Sequence, residues 1–313
     1  MTSDPIASVV IVNWNVRHLL RECLRSLHAE GLHGALEVMV VDNASSDGSV
    51  EMLRDEFPAV RVVVNRENEG FARANNRALP LSSGRYLVLL NPDTVVTGGA
   101  LHRLVDWMEA HPAAAVAGCR LLNSDGSLQR WTGGAFPTLA NVASHHLFLD
   151  RVLPRRLRPR PMYRLRDDDA DERVEWVSGA CMIVRRASLR GRLFDERYFM
   201  YAEDMELCER LAADRWEIWY TPSATVVHHH GRSITQQSGE VALSPVRGPR
   251  MFFARHRGPI GVLIYDILTT SGFFLRWVAF ACLSATSSRG RHRTRARSNR
   301  QLMLRSVEVM RGR

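Results

Sequence analysis

Between Ala7 and Leu90, four short apolar runs alternate with helix-periodic stretches, and this alternation constrains the fold more than any other feature. The runs are Ala7 to Val12, Leu36 to Val41, Val60 to Val64 and Tyr86 to Leu90. Ala7 to Val12 and Leu36 to Val41 are apolar but for Ser8 and Glu37, the pattern of buried parallel strands. Between them, His18 to Ala29 carries Leu20, Leu24 and Leu27 at helical spacing. Val50 to Phe57 is also helical, and Asn68 to Leu79 reads as a loop leading into a helix. Strands that alternate with helices predict an α/β fold: a Rossmann-like, mostly parallel sheet flanked by helices. Gly98 to His111 follows as a helix with Leu101, Leu104, Val105 and Met108 inward. Val174 to Val184 and Trp216 to Val227 read as two further strands.

Open sheets of this kind bind ligands beyond the carboxyl ends of their strands. Three of the first four strands run into polar, turn-forming residues there: Asn13-Trp14-Asn15, Asp42 with its Asn/Ser/Asp/Gly run, and Asn91-Pro92-Asp93. The sheet argument thus gathers Asn15, Asp42 and Asp93 on one rim. A carboxylate in the place of Asp42 suits a ribose or base edge. Asp93 suits a hard divalent cation, although Asn-Pro-Asp is also a good turn. The first loop is not GxGxxG, which argues against a dinucleotide dehydrogenase. His228-His229-His230 follows a strand and reads either as a source of metal ligands or as a polar loop. Glu203-Asp204 opens the apolar-periodic stretch Leu207 to Leu211. Carboxylates there serve either as a general base or as a helix cap.

Charge limits the partners. There is no lysine, and the net charge is +9. From Arg289 to the C-terminus there are nine arginines and one acid, Glu308. The rest of the chain is therefore nearly neutral, whereas a nucleic-acid-binding body carries its charge on the folded domain. Nucleic acid is not an expected partner. Five scattered cysteines form no CxxC pair, as suits a reducing compartment. Met1 to Pro5 lacks the pattern of a secretory signal, so the first domain is expected in the cytoplasm. Arg151 to Arg166, with Asp167-Asp168-Asp169 after it, reads as a charged surface loop. Gly261 to Leu283 is long and apolar enough to reach across a bilayer, but it holds Asp266 and Arg276. An interfacial or re-entrant helix is the expectation, with a full span and a soluble packing helix as the alternatives, and the basic tail would favour an anionic leaflet. The division expected is residues 1–240 for the first domain and 241–313 for a membrane-associating helix and tail.

These segments together resemble family 2 glycosyltransferases of the GT-A fold, in the rhamnosyltransferase-like branch. The resemblance rests on Val9 to Asn15, Val41 to Ser49, Asn68 to Asn76, Leu89 to Asp93, Trp176 to Ala180, Phe194 through Cys208, and His228 through Ser233. It covers residues 6 to 235, and seven segments in order are far more specific than any one.

The resemblance implies a nucleotide-sugar donor. Asp42 would contact the base or ribose, with Asn13 and Asn15 lining the same pocket. Gly70 and Asn76 would lie near the diphosphate or sugar. Asn91-Pro92-Asp93 would stand for the DxD motif, with Asn in the first place, so Asp93 alone supplies the carboxylate. Asp93 and His228 would hold Mg²⁺ or Mn²⁺, with His229 a rival to His228. Asp204 would be the general base, with Glu203 the alternative. Trp176 and Gly179 would shape the acceptor side. The expected activity is inverting, metal-dependent sugar transfer at the cytoplasmic face of the membrane. The expected donor is dTDP-rhamnose, with UDP-galactofuranose and UDP-N-acetylglucosamine open. The expected acceptor is a lipid-linked or cell-envelope glycan. A nucleotidyltransferase would need a Gly-rich basic loop where Asn13 to Arg17 stands. A membrane-attached, non-catalytic scaffold is the other rival.

Overall fold

The computed structural model describes residues 5–30, 36–163, 169–229, 240–286 and 290–312. Its strands are β1 (Ala7–Asn13), β2 (Leu36–Asp42), β3 (Arg61–Val64), β4 (Tyr86–Leu90), β5 (Thr94–Val96) and β6 (Ala114–Leu122), then β7 (Gly133–Gly134), β8 (Glu172–Arg173), β9 (Trp176–Val177), β10 (Cys181–Arg185) and β11 (Glu217–His228). Its α-helices are α1 (Arg17–Ala29), α2 (Ser49–Glu56), α3 (Gly70–Ala78), α4 (Ala100–Ala110) and α5 (Leu139–His146), then α6 (Leu149–Val152), α7 (Glu203–Ala213), α8 (Glu240–Ala254), α9 (Pro259–Thr286) and α10 (Gly290–Met310). The chain divides into two compact units, residues 1–134 with 163–237 and residues 135–162 with 238–313. Ala135–Met162 therefore groups with the C-terminal helices, where the sequence reading kept it in the first domain.

The first unit is built on a nine-stranded sheet of order β3-β2-β1-β4-β10-β6-β11-β5, with β8 also paired to β11. β1, β2, β3, β4, β6 and β11 run one way, and β5, β8 and β10 run against them. The sheet is thus mixed and mostly parallel, as the alternation predicts. β1 and β4 are buried along their whole length. The spacing of α1 puts Leu20, Leu24 and Leu27 into the core, each contributing about 1.5–3 kcal/mol. In α4, Trp107 is buried beside Leu101, Leu104 and Met108, while Val105 is only partly covered.

Two differences from the sequence reading have clear causes. The run Val174 to Val184 is two strands, β9 and β10, separated by Ser178-Gly179-Ala180. The break lets the Asn91 N–H donate to Ala180 O at 2.9 Å. β6 is a strand that the sequence pattern does not announce: Ala114-Ala115-Val116-Ala117-Gly118 carries little β-branched signal. Gly118 must lack a side chain, because a Cβ there would meet Val177 at 2.7 Å.

In the second unit, α9 packs against α5, α8 and α10. Phe280 stacks on His292 near one end, and Thr270 Oγ1 donates to Met310 Sδ at 3.7 Å farther along, so α9 and α10 form an antiparallel hairpin. The basic stretch expected as a tail is, among the described residues, the helix α10. The polarity of α9 is inverted. Asp266 and Thr269 face inward, and Arg250 grips Asp266 through two nitrogens at 2.8 and 2.9 Å. Arg276 donates to the carbonyls of His145 and Gly272 at 2.6 and 3.1 Å. Ile260, Leu263, Ile264, Ile267, Phe274, Leu275 and Val278 form one exposed stripe on the other side.

Gly70 decides whether the first unit can close around its acidic pair. Its φ is +81°, and a Cβ there would meet Phe199 O at 2.3 Å. A Gly70→Ala variant should lose at least about 1–2 kcal/mol of unfolding free energy from the left-handed backbone alone. An unchanged urea midpoint would contradict this packing.

Candidate active site

Three groups of side chains lie around the carboxyl ends of β1, β2 and β4. The first joins β1 to β2. Asn13 and Asp42 are register partners, and Asn13 Nδ2 donates to Asp42 Oδ1 at 2.7 Å. Asp42 Oδ2 accepts the Ser45 N–H at 2.8 Å, and Ser45 Oγ accepts the Asn15 N–H at 2.9 Å. Asn15 Oδ1 in turn accepts the Ser46 N–H at 2.7 Å. Asn15 and Ala44 both take left-handed backbone to make these turns. Asn13 and Asp42 are fully buried, so their side chains hold the two loops together, and half-buried Asn15 carries the polar surface.

The second group closes the far side. β5 pairs antiparallel with the end of β11, so that His228 lies opposite Thr94. The His229 N–H donates to Asp93 O at 2.8 Å. This brings His228 Nε2 to 3.1 Å from Asp93 Oδ1, with both side chains almost wholly buried. Asn91 Nδ2 lies 3.3 Å from the same ring nitrogen. His229 does not take that place: its Nδ1 meets Ser124 Oγ at 2.7 Å. His230, Gly231, Arg232 and Ser233 lie outside the described residues. Among the described residues there is no cluster of three or more His, Cys, Asp or Glu side chains of metal-binding geometry. Asp93 and His228 still fit a divalent cation as a two-ligand set. A hard cation is commonly held by one or two protein groups, with phosphate oxygens and water completing its shell.

The third group is the acidic pair. Tyr201 and Ala202 both take left-handed backbone, with φ of 71° and 69°, and turn the chain sharply into α7. Such strain in residues with a Cβ costs about 1–3 kcal/mol each and collects at functional sites. The N-cap of α7 is Ala202, which has no capping side chain, so neither carboxylate stands in the cap position. The two acids differ in exposure. Glu203 is buried and its Oε2 has no partner, whereas Asp204 is half-buried. Asp204 Oδ2 accepts the Gly179 N–H at 3.2 Å, and Oδ1 accepts the Met205 N–H at 2.8 Å. Burial pushes the Asp204 carboxyl up to about 6, against the pull of those N–H donors. Burial, and then the charge of Asp204, hold Glu203 well above the usual carboxylate range.

The other expected residues serve as supports. Gly70 tucks under Phe199, and the Phe71 N–H donates to Phe199 O at 2.7 Å. Asn76 is committed at both ends: Oδ1 accepts the Phe194 N–H at 2.9 Å, while Nδ2 donates to Phe194 O at 2.9 Å and to Glu196 Oε1 at 3.1 Å. In this structure it holds the segment leading to the acidic pair. Trp176 is buried in β9 with its ring edge-on to Tyr163. Gly179 presents its N–H to Asp204, and a Cβ there would come within 3.3 Å of Phe71. Sequence reasoning missed Gln129, whose side chain meets His228 at both of its ends. The signal was Asp125-Gly126, a hairpin turn between Leu122 and Leu128.

Comparison with known proteins identifies the family and the fold. The profile of Glycosyl transferase family 2 matches residues 8–193, more than half of the chain. The N-acetylglucosaminyl-diphospho-decaprenol L-rhamnosyltransferase of Mycobacterium tuberculosis is 29% identical over 267 residues, covering 81% of this chain and 86% of that protein. Rhamnosyltransferase WbbL of Escherichia coli is 24% identical over 233 residues, covering 71% and 83%. Among solved structures, the mannosyltransferase PcManGT of Pyrobaculum calidifontis, in complex with GDP-Man and Mn²⁺, superposes with a TM-score of 0.59 at 18% identity, covering 98% of this chain and 87% of that one. GalNAc-T7 with UDP, GalNAc and Mn²⁺ gives a TM-score of 0.56 at 17% identity, over 79% and 48%. These two likenesses show the GT-A-like fold. The chain belongs to glycosyl transferase family 2 and is a glycosyltransferase of rhamnosyltransferase-like type.

Proposed function

We propose that this glycosyltransferase moves L-rhamnose from dTDP-rhamnose to a lipid-linked glycan, with inversion at the anomeric carbon. The donor and acceptor readings are supported by the Mycobacterium tuberculosis relative, whose named activity is rhamnosyl transfer to a lipid-linked N-acetylglucosamine, and which aligns over most of both chains. The geometric observation that carries the mechanism is the contrast within the acidic pair: Asp204 is partly exposed and takes the Gly179 N–H, whereas Glu203 is buried.

Asp204 takes the proton from the acceptor hydroxyl as that oxygen attacks the anomeric carbon. The bond from that carbon to the diphosphate breaks, its electron pair leaves with the nucleoside diphosphate, and a single displacement inverts the centre. The Gly179 N–H orients the carboxylate that receives the proton. Asp93 and His228 would hold Mg²⁺ or Mn²⁺, which when bound offsets charge on the leaving diphosphate. Asn13, Asn15 and Asp42 shape the nucleoside end, and Asn91 borders the cation end. Gly70 and Asn76 keep the acidic pair facing the donor, and Trp176 with Gly179 borders the acceptor.

The second unit supports attachment to an anionic bilayer surface from the cytoplasmic side. α9 turns an apolar stripe outward, and Arg293, Arg295, Arg297 and Arg300 are exposed on the neighbouring helix. The antiparallel hairpin favours a helix lying in the interface over one that spans. A spanning α9 would draw the arginines of α10 into hydrocarbon, at about 2.5–3.5 kcal/mol or more for each.

An Asp204→Asn variant should stay folded and lose about 10²-fold or more in kcat, whereas Glu203→Gln should lose much less. Equal losses would overturn the assignment. Because the Asp204 carboxyl sits at about 6, kcat/KM should fall as pH drops through 6, not through 4. The native state holds this proton more tightly than the unfolded chain, so stability declines as pH rises from the ordinary 3.8 towards about 6. Asp204→Asn should therefore melt at a higher temperature than the wild type at pH 8.

Release of nucleoside diphosphate across a panel of nucleotide sugars with Mg²⁺ or Mn²⁺ should be fastest with dTDP-rhamnose. A UDP-sugar preference would overturn the donor, and no turnover with any donor would favour the scaffold reading. The full-length protein should sediment with vesicles containing anionic lipid, and Leu263→Glu with Ile267→Glu should release it. Unchanged sedimentation of the double variant would remove the interfacial role of α9.

A further inference from the structure

We propose that Gln129 is a positioning residue: it locks the imidazole of His228 in the tautomer that turns a bare Nε2 towards Asp93, and so sets the affinity of the rim for a divalent cation. The inference rests on the reading of Asp93 and His228 as metal ligands.

Gln129 stands where the chain doubles back from β6. The Asn123 N–H donates to Ser127 O at 2.7 Å across the turn, Gly126 takes a left-handed φ of 78°, and the Gln129 N–H donates to Leu121 O at 2.9 Å. These bonds pin Gln129 beside the end of β11. Its Nε2 lies 2.6 Å from the backbone oxygen of His228, and its Oε1 lies 3.0 Å from His228 Nδ1.

The first contact fixes which way round the amide sits. A backbone carbonyl has no proton to give, so the NH₂ end of Gln129 must face it. The amide oxygen then faces Nδ1, and an amide oxygen only accepts. Nδ1 must therefore carry a hydrogen, which in a neutral imidazole leaves the lone pair on Nε2. On the far side of the ring one contact matches a lone pair and the other needs a positive charge. Asn91 Nδ2, a donor, lies 3.3 Å from Nε2, and Asp93 Oδ1 lies 3.1 Å from it. A carboxylate oxygen and a ring lone pair this close repel each other unless a positive charge, a proton on Nε2 or a bound cation, lies between them. The same turn also steadies the neighbouring ring through Ser124 Oγ and His229 Nδ1, 2.7 Å apart. Partners of this kind, behind a ligating histidine, commonly change metal affinity by about 10–100-fold.

The test uses the full-length protein, ¹⁵N-labelled at histidine, with Mn²⁺ as the metal probe. Long-range ¹H–¹⁵N spectra without metal, with His228→Ala to assign the signals, should show Nδ1–H and an unprotonated Nε2 for His228. The isosteric Gln129→Met, at a wild-type melting temperature, should shift His228 towards the Nε2–H form. It should also weaken Mn²⁺ binding, read by the electron paramagnetic resonance of free Mn²⁺, by about tenfold or more. An Nε2–H tautomer in the wild type would overturn the proposal without any variant. So would a Gln129→Met protein with unchanged tautomer and unchanged Mn²⁺ affinity. His228→Ala separates the two levels. If it binds Mn²⁺ like the wild type, the metal assignment itself falls. If it loses Mn²⁺ while Gln129→Met does not, only the role of Gln129 falls.

Discussion

The site depends on the return of β11 beside β5. That short antiparallel pairing puts His228 opposite Thr94, and the His229 N–H on Asp93 O holds the register. β5 leaves the end of β4 through Asn91-Pro92-Asp93, so a residue late in the chain meets the rim made by its first strands. A slip of one residue in β11 would turn the His228 side chain to the other face. The pair Asp93 and His228 is thus a product of strand register, and the hairpin bearing Ser124 and Gln129 reinforces it from behind.

The acidic pair reaches the same rim by different means. Two left-handed residues, Tyr201 and Ala202, and the close approach of Phe199 to Gly70 hold the entry to α7 in a costly conformation. The burial that raises Asp204 and Glu203 also opposes their ionisation. The fold tolerates this because the large sheet stabilises the unit elsewhere. A carboxyl raised to about 6 suits the proton acceptance proposed for Asp204 near neutral pH.

Much of this was legible in the chain. Parallel strands buried on both faces leave nearly continuous apolar runs, broken inside only at Ser8 and Glu37, so β1, β2 and β4 and the rim at their ends could be read directly. The opening of α7 at Glu203 could be read too, though not which acid reaches the surface, since adjacent residues differ only once the helix is docked. β6 escaped because Ala114 to Gly118 carry little strand signal, and Gly118 packs where Val177 leaves no room for a side chain. The division of Val174 to Val184 escaped because Gly179 is needed for its N–H and its lack of a side chain, both tertiary demands. Asp42 and Asn76 were read for ligand contact, and the structure commits their polar atoms to loops and to the Phe194–Glu196 segment. On α9 the charges Asp266 and Arg276 looked like obstacles to membrane contact. Partners distant in sequence, Arg250 and the carbonyl of His145, turn both inward and leave the apolar side exposed.

The central claim is that the ends of β4 and β11 form one cation-dependent centre for a nucleoside diphosphate. The most direct measurement is the anomalous scattering of Mn²⁺ in crystals grown with Mn²⁺ and dTDP. The account predicts a single strong peak bonded to both Asp93 Oδ1 and His228 Nε2, with the diphosphate completing its shell. A Mn²⁺ peak on the diphosphate that touches neither residue would contradict it.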